Sequence, residues 1–314
     1  MSLGSFLLFS KVFSTHDLGK KILEKNYFPF FIKKSLKSQK NPPYSSFSSS
    51  LLQDNFLQKS SLDSSINSFS SLWLLAQEQN NGRGRHGHYF SSPLGGLYLT
   101  FLYKPRYQQL PNGLLTSFLT YTGKILLDHH GVMKKSSDHN QNFSPFVLRW
   151  KNDIYCGHKK IGGAMIDVET DPEGCPWWIM SLGLNLNSSF SITVPWGSPR
   201  DLNYLPMDIF SFFQQFQEKF LFFLKFFDIP GSIVLPEKIL TPLAQSFLEY
   251  NEEVFLQSPK SWHHGVFKGF TSQGQTLLEE KKNEKKPYDA LVLFPALCHY
   301  NDMPLWLSGR AHPW

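Results

Sequence analysis

Cysteine and charge are both scarce in this sequence of 314 residues, and each scarcity excludes a class of protein. The three cysteines, Cys156, Cys175 and Cys298, show no Cys-x-x-Cys spacing and leave an odd count. A disulfide framework and a cysteine-based zinc site are therefore not expected, and a reducing compartment fits this composition. Charged residues make up only 18% of the chain, which excludes a highly charged disordered protein.

A long uninterrupted apolar segment is also lacking. The most apolar stretch, residues 209–227, is interrupted by glutamine, glutamate and lysine side chains. We expect it to form a helix with one aromatic face, and we expect no membrane span. The N-terminal residues lack the basic segment of a secretory signal, so the expected location is the cytoplasm.

The sequence is rich in aromatic residues and carries a modest net positive charge. Aromatic residues reach 16%, with 29 phenylalanines, and the chain is long enough to bury a substantial core. The net charge of +6 and the pI near 9.0 favour anionic partners such as nucleotides, acidic proteins or nucleic acid.

The hydrophobic pattern predicts a large domain followed by a small one. Residues 1–256 are predicted to form the large domain, with strands alternating with helices, the last of which spans 236–256. Within it, the serine-rich residues 34–71 are interpreted as an insertion. Residues 262–314 are predicted to form a small β domain, since two β segments flank a charged turn.

The most informative motif is a glycine- and arginine-rich loop between two predicted strands. It runs from Gln79 through Gly82, Arg83, Gly84 and Arg85. Glycine allows close approach of the backbone and exposes amide donors, and arginine adds planar donors for phosphate or carboxylate. The loop is predicted to bind an anion, although a flexible basic segment that binds nucleic acid is the alternative.

Two further motifs follow along the chain. Asn152 and Asp153 lie at a strand end, where they either form a turn or hold a magnesium ion or a ribose hydroxyl. Lys160 precedes a Gly-Gly pair that includes Gly163, and either projects a charge into a pocket or remains solvated. Asn185 ends a predicted strand that either lines a ligand site or belongs to the core.

The order of these motifs resembles that of the biotin protein ligases. The shared elements are Ser14-Thr15, Gln79 with the Gly-Arg-Gly-Arg loop, Trp150-Lys151-Asn152-Asp153, Lys160-Ile161-Gly162-Gly163 and Gly183-Leu184-Asn185. The resemblance implies an α/β fold with a mixed β-sheet and helices packed on one side. It also implies a small C-terminal SH3-like β-barrel domain. The implied reaction activates biotin with ATP to biotinyl-5′-AMP and transfers biotin to a lysine of a carboxylase carrier protein.

The resemblance also assigns roles to individual residues. It places biotin against Ser14, Thr15, His16, Gln79, Arg83, Gly84, Arg85, Lys160 and Gly163. It places ATP and the adenylate against Gly82, Arg83, Arg85, Phe90, Asn152, Asp153 and Asn185. Lys160 and Arg85 are the implied catalytic residues, because they would neutralise charge as the biotin carboxylate attacks the α-phosphate. Magnesium is expected on the phosphates, with Asp153 as a candidate ligand.

Several positions depart from the family pattern. His86 and His88 follow the arginines where the family commonly continues with arginine and an aromatic residue. His16 stands where asparagine commonly follows Ser-Thr, and Lys151 stands where proline commonly precedes Asn-Asp. Only 13 residues precede Ser14, so we expect neither a winged-helix domain nor DNA binding.

Three alternatives remain open at this point. The first is a lipoyl or octanoyl transferase of similar fold, and the second is a degenerate protein that binds biotin or a carrier without turnover. The third is an RNA-binding protein that uses the basic loop, which would bind in a salt-sensitive way and ignore biotin. The biotin carboxyl carrier domain is the expected partner, and the oligomeric state is left open, with a homodimer among the options.

Overall fold

The computed structural model describes residues 5–24, 46–47, 71–108, 110–131, 145–190, 195–257, 261–280, 285–288 and 292–295. The serine-rich segment at 34–71 therefore lies outside the described residues, except for a two-residue strand at 46–47 and Ser71. None of the helices in the described part of the chain has the length and apolar character needed to cross a membrane.

Within the described ranges, the larger sheet contains eight strands and is mixed. The strands are β1 (Ser5–Phe9), β2 (Ser46–Phe47), β3 (Ser71–Ala76), β4 (Leu97–Tyr103), β5 (Phe146–Arg149), β6 (Asp153–Cys156), β7 (Lys159–Thr170) and β8 (Pro176–Leu184). Their order is β2-β1-β3-β4-β8-β7-β6-β5. β1 pairs parallel with β2 and β3, and the remaining pairs are antiparallel. The predicted α/β class with a mixed sheet is confirmed.

Helices cover both faces of this sheet, which corrects the prediction that they pack on one side. The helices are α1 (Thr15–Glu24), α2 (Leu115–His130), α3 (Ile209–Leu224) and α4 (Glu237–Gln245). Leu18 and Ile22 of α1 share a core with Leu72 and Leu74 of β3. Trp73, the intervening residue of β3, packs in a separate core that includes α2 and α3. Because successive side chains of a strand point to opposite faces, the two cores lie on opposite sides of the sheet.

The aromatic helix α3 supplies much of the second core. Phe213, Phe216 and Phe220 are fully buried, and the ring of each meets Trp73 edge to face. Asp208 caps the helix by accepting hydrogen bonds from the first-turn amides. The predicted helix with one aromatic face is therefore present.

A second, antiparallel sheet forms the C-terminal part. In the described residues its order is β12-β11-β10-β9-β13, built from β9 (Glu253–Gln257), β10 (Trp262–Phe270), β11 (Thr276–Glu279), β12 (Lys285–Tyr288) and β13 (Val292–Pro295). The predicted small C-terminal β domain is thus present as a separate sheet.

The boundary between the two parts differs in detail from the sequence prediction. The helix predicted over 236–256 ends at Gln245, and the chain then turns and enters β9. Asn251 has a φ of 62°, a left-handed conformation that a helix cannot include. β9 pairs with β10, so the small sheet begins before residue 256. The exact division into domains remains a prediction.

Candidate active site

The N-terminus of α1 brings the Ser-Thr motif against Gln79. The Thr15 backbone N–H donates to Gln79 Oε1 at 2.8 Å, and the Thr15 hydroxyl donates to the same oxygen at 3.2 Å. Gln79 Nε2 in turn donates to Ser92 Oγ at 2.9 Å. Ser14 Oγ accepts from the Asp17 N–H at 3.3 Å and so caps the helix. All four side chains that make these contacts, including Ser14 and Ser92, are buried.

A chain of buried polar groups continues from Thr15 across the sheet. Thr100 Oγ1 donates to Thr15 Oγ1 at 3.0 Å and lies 2.7 Å from Ser181 Oγ. Ser181 Oγ lies 2.8 Å from His16 Nδ1, and His16 Nε2 lies 3.0 Å from Asp167 Oδ2. We call Gln79, Thr15, Thr100, Ser181 and His16, which are buried, together with the partly exposed Asp167 at the end, the buried polar chain. Both ring nitrogens of His16 are engaged, which fixes the orientation of its imidazole.

Asp167 is the charged end of the buried polar chain. The hydrogen bond to His16 holds the pKa of this carboxyl well below its usual range, against the opposing effect of burial. Lys20 Nζ lies 2.7 Å from the same oxygen and acts in the same direction. Asp167 is therefore an ionised carboxylate that is already paired with neighbouring groups.

The Gly-Arg-Gly-Arg segment forms a small hairpin, which we call the arginine loop (residues 82–90). The Phe90 N–H donates to the Gly82 carbonyl at 2.8 Å, and the Gly84 N–H donates to the His88 carbonyl at 2.7 Å. A 3₁₀ turn over Arg85–Gly87 forms the tip. Gly82 is required by packing, because a Cβ there would lie 2.2 Å from the Phe90 carbonyl oxygen.

The two arginines of this loop have different partners. Arg83 Nη1 lies 2.7 Å from Asp17 Oδ1 in the first turn of α1, so this ion pair ties the loop to the Ser-Thr segment. Arg85 Nη1 donates to the neutral amide oxygen of Asn152 at 2.5 Å. The loop is thus held between α1 and the strand end at Asn152.

Lys160 belongs to a polar group centred on Asp153. Lys160 Nζ lies 2.7 Å from Asp153 Oδ2, and Asn152 Nδ2 donates to Asp153 Oδ1 at 3.1 Å. Gly163 faces this pair, because a Cβ there would lie 3.0 Å from Asp153 Oδ1. Through Asn152, the group connects to Arg85 of the arginine loop. Four residues that the sequence predicted for the site are therefore linked directly.

Asn185 and Phe90 lie at the C-terminal end of β8. Asn185 is buried, and its Oδ1 accepts a hydrogen bond from Tyr98 Oη at 2.8 Å. Phe90 packs against Gly183, where an added Cβ would lie 2.6 Å from its ring. Here Asn185 has a structural partner, so its predicted contact with the nucleotide stays a prediction.

A cavity of about 480 Å³ opens beneath the arginine loop. It is lined by Arg83, Gly84, Arg85, Gly87, Thr116, Lys151, Met165, Ile166 and Asp167. Three of these, Arg83, Gly84 and Arg85, were predicted from the sequence. Three cationic side chains face one carboxylate that already has partners, so the cavity suits an anionic ligand.

Several cavity residues were not predicted as site residues. Asp167 and Met165 follow Gly163 at intervals of two on β7, and this period places them on one face of the strand. That alternation was the available signal. Thr116 had none, because only the tertiary fold brings the start of α2 to the arginine loop. Lys151 stood out only as a departure from the family pattern.

The described carboxylates fit a magnesium ion carried by a nucleotide better than a site built from protein alone. No group of three His, Cys, Asp or Glu residues able to hold a metal occurs in the parts of the chain that the structure describes. Asp153, the predicted candidate ligand, is paired with Lys160. Phosphate oxygens would therefore supply most of the ligands of such an ion.

This arrangement agrees with a comparison against protein-family models. Residues 57–174 match the biotin/lipoate A/B protein ligase family. The match confirms the resemblance that the motifs indicated. It covers Gln79, the arginine loop, Lys160 and the cavity residues of β7, and the family includes lipoate as well as biotin ligases. No curated protein sequence matches the chain.

Solved structures of a biotin protein ligase share the fold. The ligase from Aquifex aeolicus in complex with biotin and ATP is 18% identical, with a TM-score of 0.60, over 93% of this chain and 99% of that chain. A point mutant of that ligase in complex with biotin is also 18% identical, with a TM-score of 0.60, over 94% and 100%. The apo form of the same ligase is 17% identical, with a TM-score of 0.56, over 93% and 100%. At this identity the likeness concerns the fold.

Proposed function

We propose that this chain activates biotin with ATP to biotinyl-5′-AMP and transfers the biotin to a lysine of a carboxyl carrier domain. The proposal rests on one observation: a cluster of neutral polar side chains lies directly beside a cavity lined by cations. The buried polar chain offers hydroxyl, amide and imidazole groups, and the adjacent cavity offers Arg83, Arg85 and Lys151. Asp167 belongs to both.

Biotin and its adenylate have the same two-part chemistry. The ureido ring is neutral and needs several hydrogen-bond partners, and Thr15, Gln79 and Ser181 supply donors and acceptors. The carboxylate and the phosphate are anionic and need cations such as Arg83 and Arg85. The groups of the polar chain hydrogen-bond one another, and a ureido ring can exchange into these bonds, whereas a lipoyl head group, a dithiolane, has no strong donor or acceptor with which to do so. The polar chain therefore favours biotin.

The first step forms a mixed anhydride. A carboxylate oxygen of biotin attacks the α-phosphorus of ATP, the bond to the β-phosphate oxygen breaks, and pyrophosphate leaves. Negative charge accumulates on the α-phosphate in the transition state. Arg85 lines the cavity, and Lys160 is linked to it through Asp153 and Asn152. In the proposed step both cations neutralise this charge, which requires Lys160 to exchange its contact with Asp153.

The second step transfers the biotinyl group. The lysine amine of the carrier attacks the carbonyl carbon of the anhydride, the bond to the phosphate oxygen breaks, and AMP leaves as the amine loses a proton. No enzyme nucleophile is needed, because the anhydride is already activated. The role of this chain is to hold the adenylate and shield it from water.

A magnesium ion that enters with ATP would neutralise charge on the triphosphate, with Asp153 as the candidate protein ligand. Arg83 takes part once it leaves Asp17, and this exchange frees the arginine loop from α1 as the ligand enters. We propose the cytoplasm as the location, because the carrier domain must be reachable.

The test is ATP-dependent transfer of labelled biotin to the carrier domain by wild type and by Lys160→Ala. We expect transfer by wild type and a loss of about 100-fold or more in the variant, because a cation is lost where charge develops. Lys159→Ala serves as the matched control, since this neighbouring lysine packs beside Gly197.

Wild type without any transfer would refute the proposal. The same assay with octanoate or lipoate and a lipoyl acceptor then tests the transferase alternative. Biotin binding without transfer would identify a binding protein without turnover.

A further inference from the structure

The charges around the cavity are unevenly compensated. Among the described residues, three carboxylates lie at or near the cavity, and each already has a cationic partner. Asp17 pairs with Arg83 at 2.7 Å, Asp153 pairs with Lys160 at 2.7 Å, and Asp167 pairs with Lys20 at 2.7 Å. Among the residues that the structure describes, neither Arg85 nor Lys151 has a carboxylate partner. The uncompensated positive charge of the cavity therefore lies on these two side chains.

Lys151 is held firmly at this place by its backbone. Its carbonyl accepts a hydrogen bond from Ser117 Oγ at 2.8 Å, which fixes it to the first turn of α2. The preceding residue, Trp150, stacks on Phe270 of the small sheet with ring centroids 6.0 Å apart. The following residue, Asn152, donates to the Ala164 carbonyl at 3.0 Å. The lysine thus projects into the cavity from a backbone that is anchored on both sides.

The surroundings of the Lys151 amine are unusual for a lysine. Burial lowers its pKa, and the positive charge of Arg85 lowers it further. Both effects disfavour the ammonium form while the cavity is empty. An anion bound between Lys151 and Arg85 would counteract both effects on the pKa of Lys151. It would solvate the buried ammonium group in place of water, and it would screen the repulsion between the two cations. Thr116, in the first turn of the 16-residue helix α2, lines the same space and adds the positive end of a helix dipole.

We propose that Lys151 is a phosphate-binding residue that contacts the α-phosphate of ATP and retains the adenylate until transfer. The assignment rests on the function proposed above and concerns a residue that the family pattern does not provide, since proline commonly stands at this position. Together with Arg85, Lys151 forms a two-cation clamp on the phosphate. Lys160 and Arg83 remain paired with Asp153 and Asp17 until the ligand draws them away.

The experiment compares Lys151→Met, which removes the charge at similar length, with Lys151→Arg, which keeps it. Lys11→Met is the matched control, because Lys11 loses the same formal charge but pairs with Glu78 away from the cavity. Three quantities are measured: the KM for ATP in adenylate formation without carrier, the rate at which labelled adenylate is lost, and the Kd for biotin.

We expect Lys151→Met to raise the KM for ATP about tenfold or more and to accelerate adenylate loss by a similar factor. Lys151→Arg should stay within about threefold of wild type, and the Kd for biotin should not change in either variant. Lys11→Met should behave as wild type. A KM for ATP and an adenylate loss rate in Lys151→Met within about twofold of wild type would overturn the assignment.

A second readout separates this assignment from the proposed function. Binding of inorganic pyrophosphate is measured by calorimetry with wild type, Lys151→Met and Lys11→Met, which needs no turnover. Weaker binding in Lys151→Met alone supports the cationic site even if wild type transfers no biotin. Equal binding in all three proteins contradicts it. Inactivity of wild type in the transfer assay contradicts only the ligase proposal.

Discussion

At the scale of single residues, charge pairing decides what each ionisable side chain of the site can do. Asp167 and Asp153 are both acidic residues on neighbouring strands, yet they face different partners. Asp167 is held by His16 and Lys20, and Asp153 is held by Lys160. Lys151 lines the cavity together with Arg83 and Arg85, and none of the described carboxylates forms an ion pair with it.

Asp167 yields a prediction about the dependence of stability on pH. Its pKa is lowered in the folded state, so it stabilises the fold above its unfolded pKa of about 3.9, and this contribution is lost as the pH falls further. We expect Asp167→Asn to lower the free energy of unfolding by about 1–3 kcal/mol at pH 7. The deficit should shrink below about pH 4, as measured by urea unfolding over that range.

Asp128→Asn is the control for this prediction. Asp128 pairs with Lys124 on the surface of α2 at a spacing of four residues. Such pairs contribute only about 0.5 kcal/mol or less. A deficit for Asp167→Asn that persists unchanged to pH 3 would show that the carboxylate charge is not its source.

At the scale of elements, the arginine loop behaves as a hairpin whose shape depends on one glycine. Gly82 fits between the Phe90 carbonyl and Ser92 Oγ, which a Cβ would approach to 2.2 and 2.3 Å. These are distances that no side chain tolerates, and a backbone carbonyl cannot move away without opening the hairpin. The positions of Arg83 and Arg85 therefore depend on Gly82.

We predict that Gly82→Ala reduces adenylate formation at least about tenfold, because a displacement of roughly 1 Å in a binding group weakens catalysis strongly. Pyrophosphate release in the presence of biotin and ATP measures this. Gly84→Ala in the same loop is the graded comparison, since its Cβ would lie 3.2 Å from the His88 carbonyl. The idea fails if Gly82→Ala is no more impaired than Gly84→Ala while both remain folded.

At the scale of the whole molecule, an aromatic cluster joins the small sheet to the segment that directly follows β5 and carries Lys151. Trp150 lies directly before Lys151 and packs against Phe247, Phe267 and Phe270. The Leu148 N–H donates to the Ser246 carbonyl at 2.8 Å, and the segment after α4 thereby extends alongside β5. The small sheet therefore packs against Trp150, the residue next to Lys151 in the cavity lining.

We predict that Phe270→Ala lowers the free energy of unfolding by about 3–5 kcal/mol, since it leaves a cavity beside Trp150. It should also raise the KM for ATP, because Trp150 supports Lys151. Phe255→Ala, on β9 of the same sheet, removes a ring that stacks on His264. We expect it to lower the free energy of unfolding less and to leave the KM for ATP closer to that of wild type. Urea unfolding and steady-state kinetics measure the two effects. If Phe270→Ala is folded and its KM for ATP is unchanged, the small sheet does not support nucleotide binding through Trp150.

Much of the fold was predictable from the chain because its signals are local. Residues 209–227 have helical spacing of phenylalanine, and α3 is the helix that this spacing predicts. Residues 97–105 have the pattern of a strand that ends at Pro105, and β4 spans the first seven of them. The burial of every residue of β4 was not predictable, since it depends on α1 covering one face and α2 and α3 the other.

The order of motifs along the chain, through its resemblance to a family, predicted one site for Thr15, Gln79, Arg83, Arg85, Asn152 and Lys160, and their roles stay a prediction. The structure joins Arg85, Asn152 and Lys160 through Asp153, and it joins Thr15 to Gln79. Only the tertiary structure decided which charges pair and which remain for a ligand. Arg83 meets Asp17 across a separation of 66 residues, and Lys160 meets Asp153 across a strand pair with an irregular register. Such pairings depend on how strands and helices pack in space, so spacing along the sequence does not specify them. For the same reason, Lys151 is recognisable as a cation without a carboxylate partner among the described residues only once the fold has placed Asp17, Asp153 and Asp167 beside other cations.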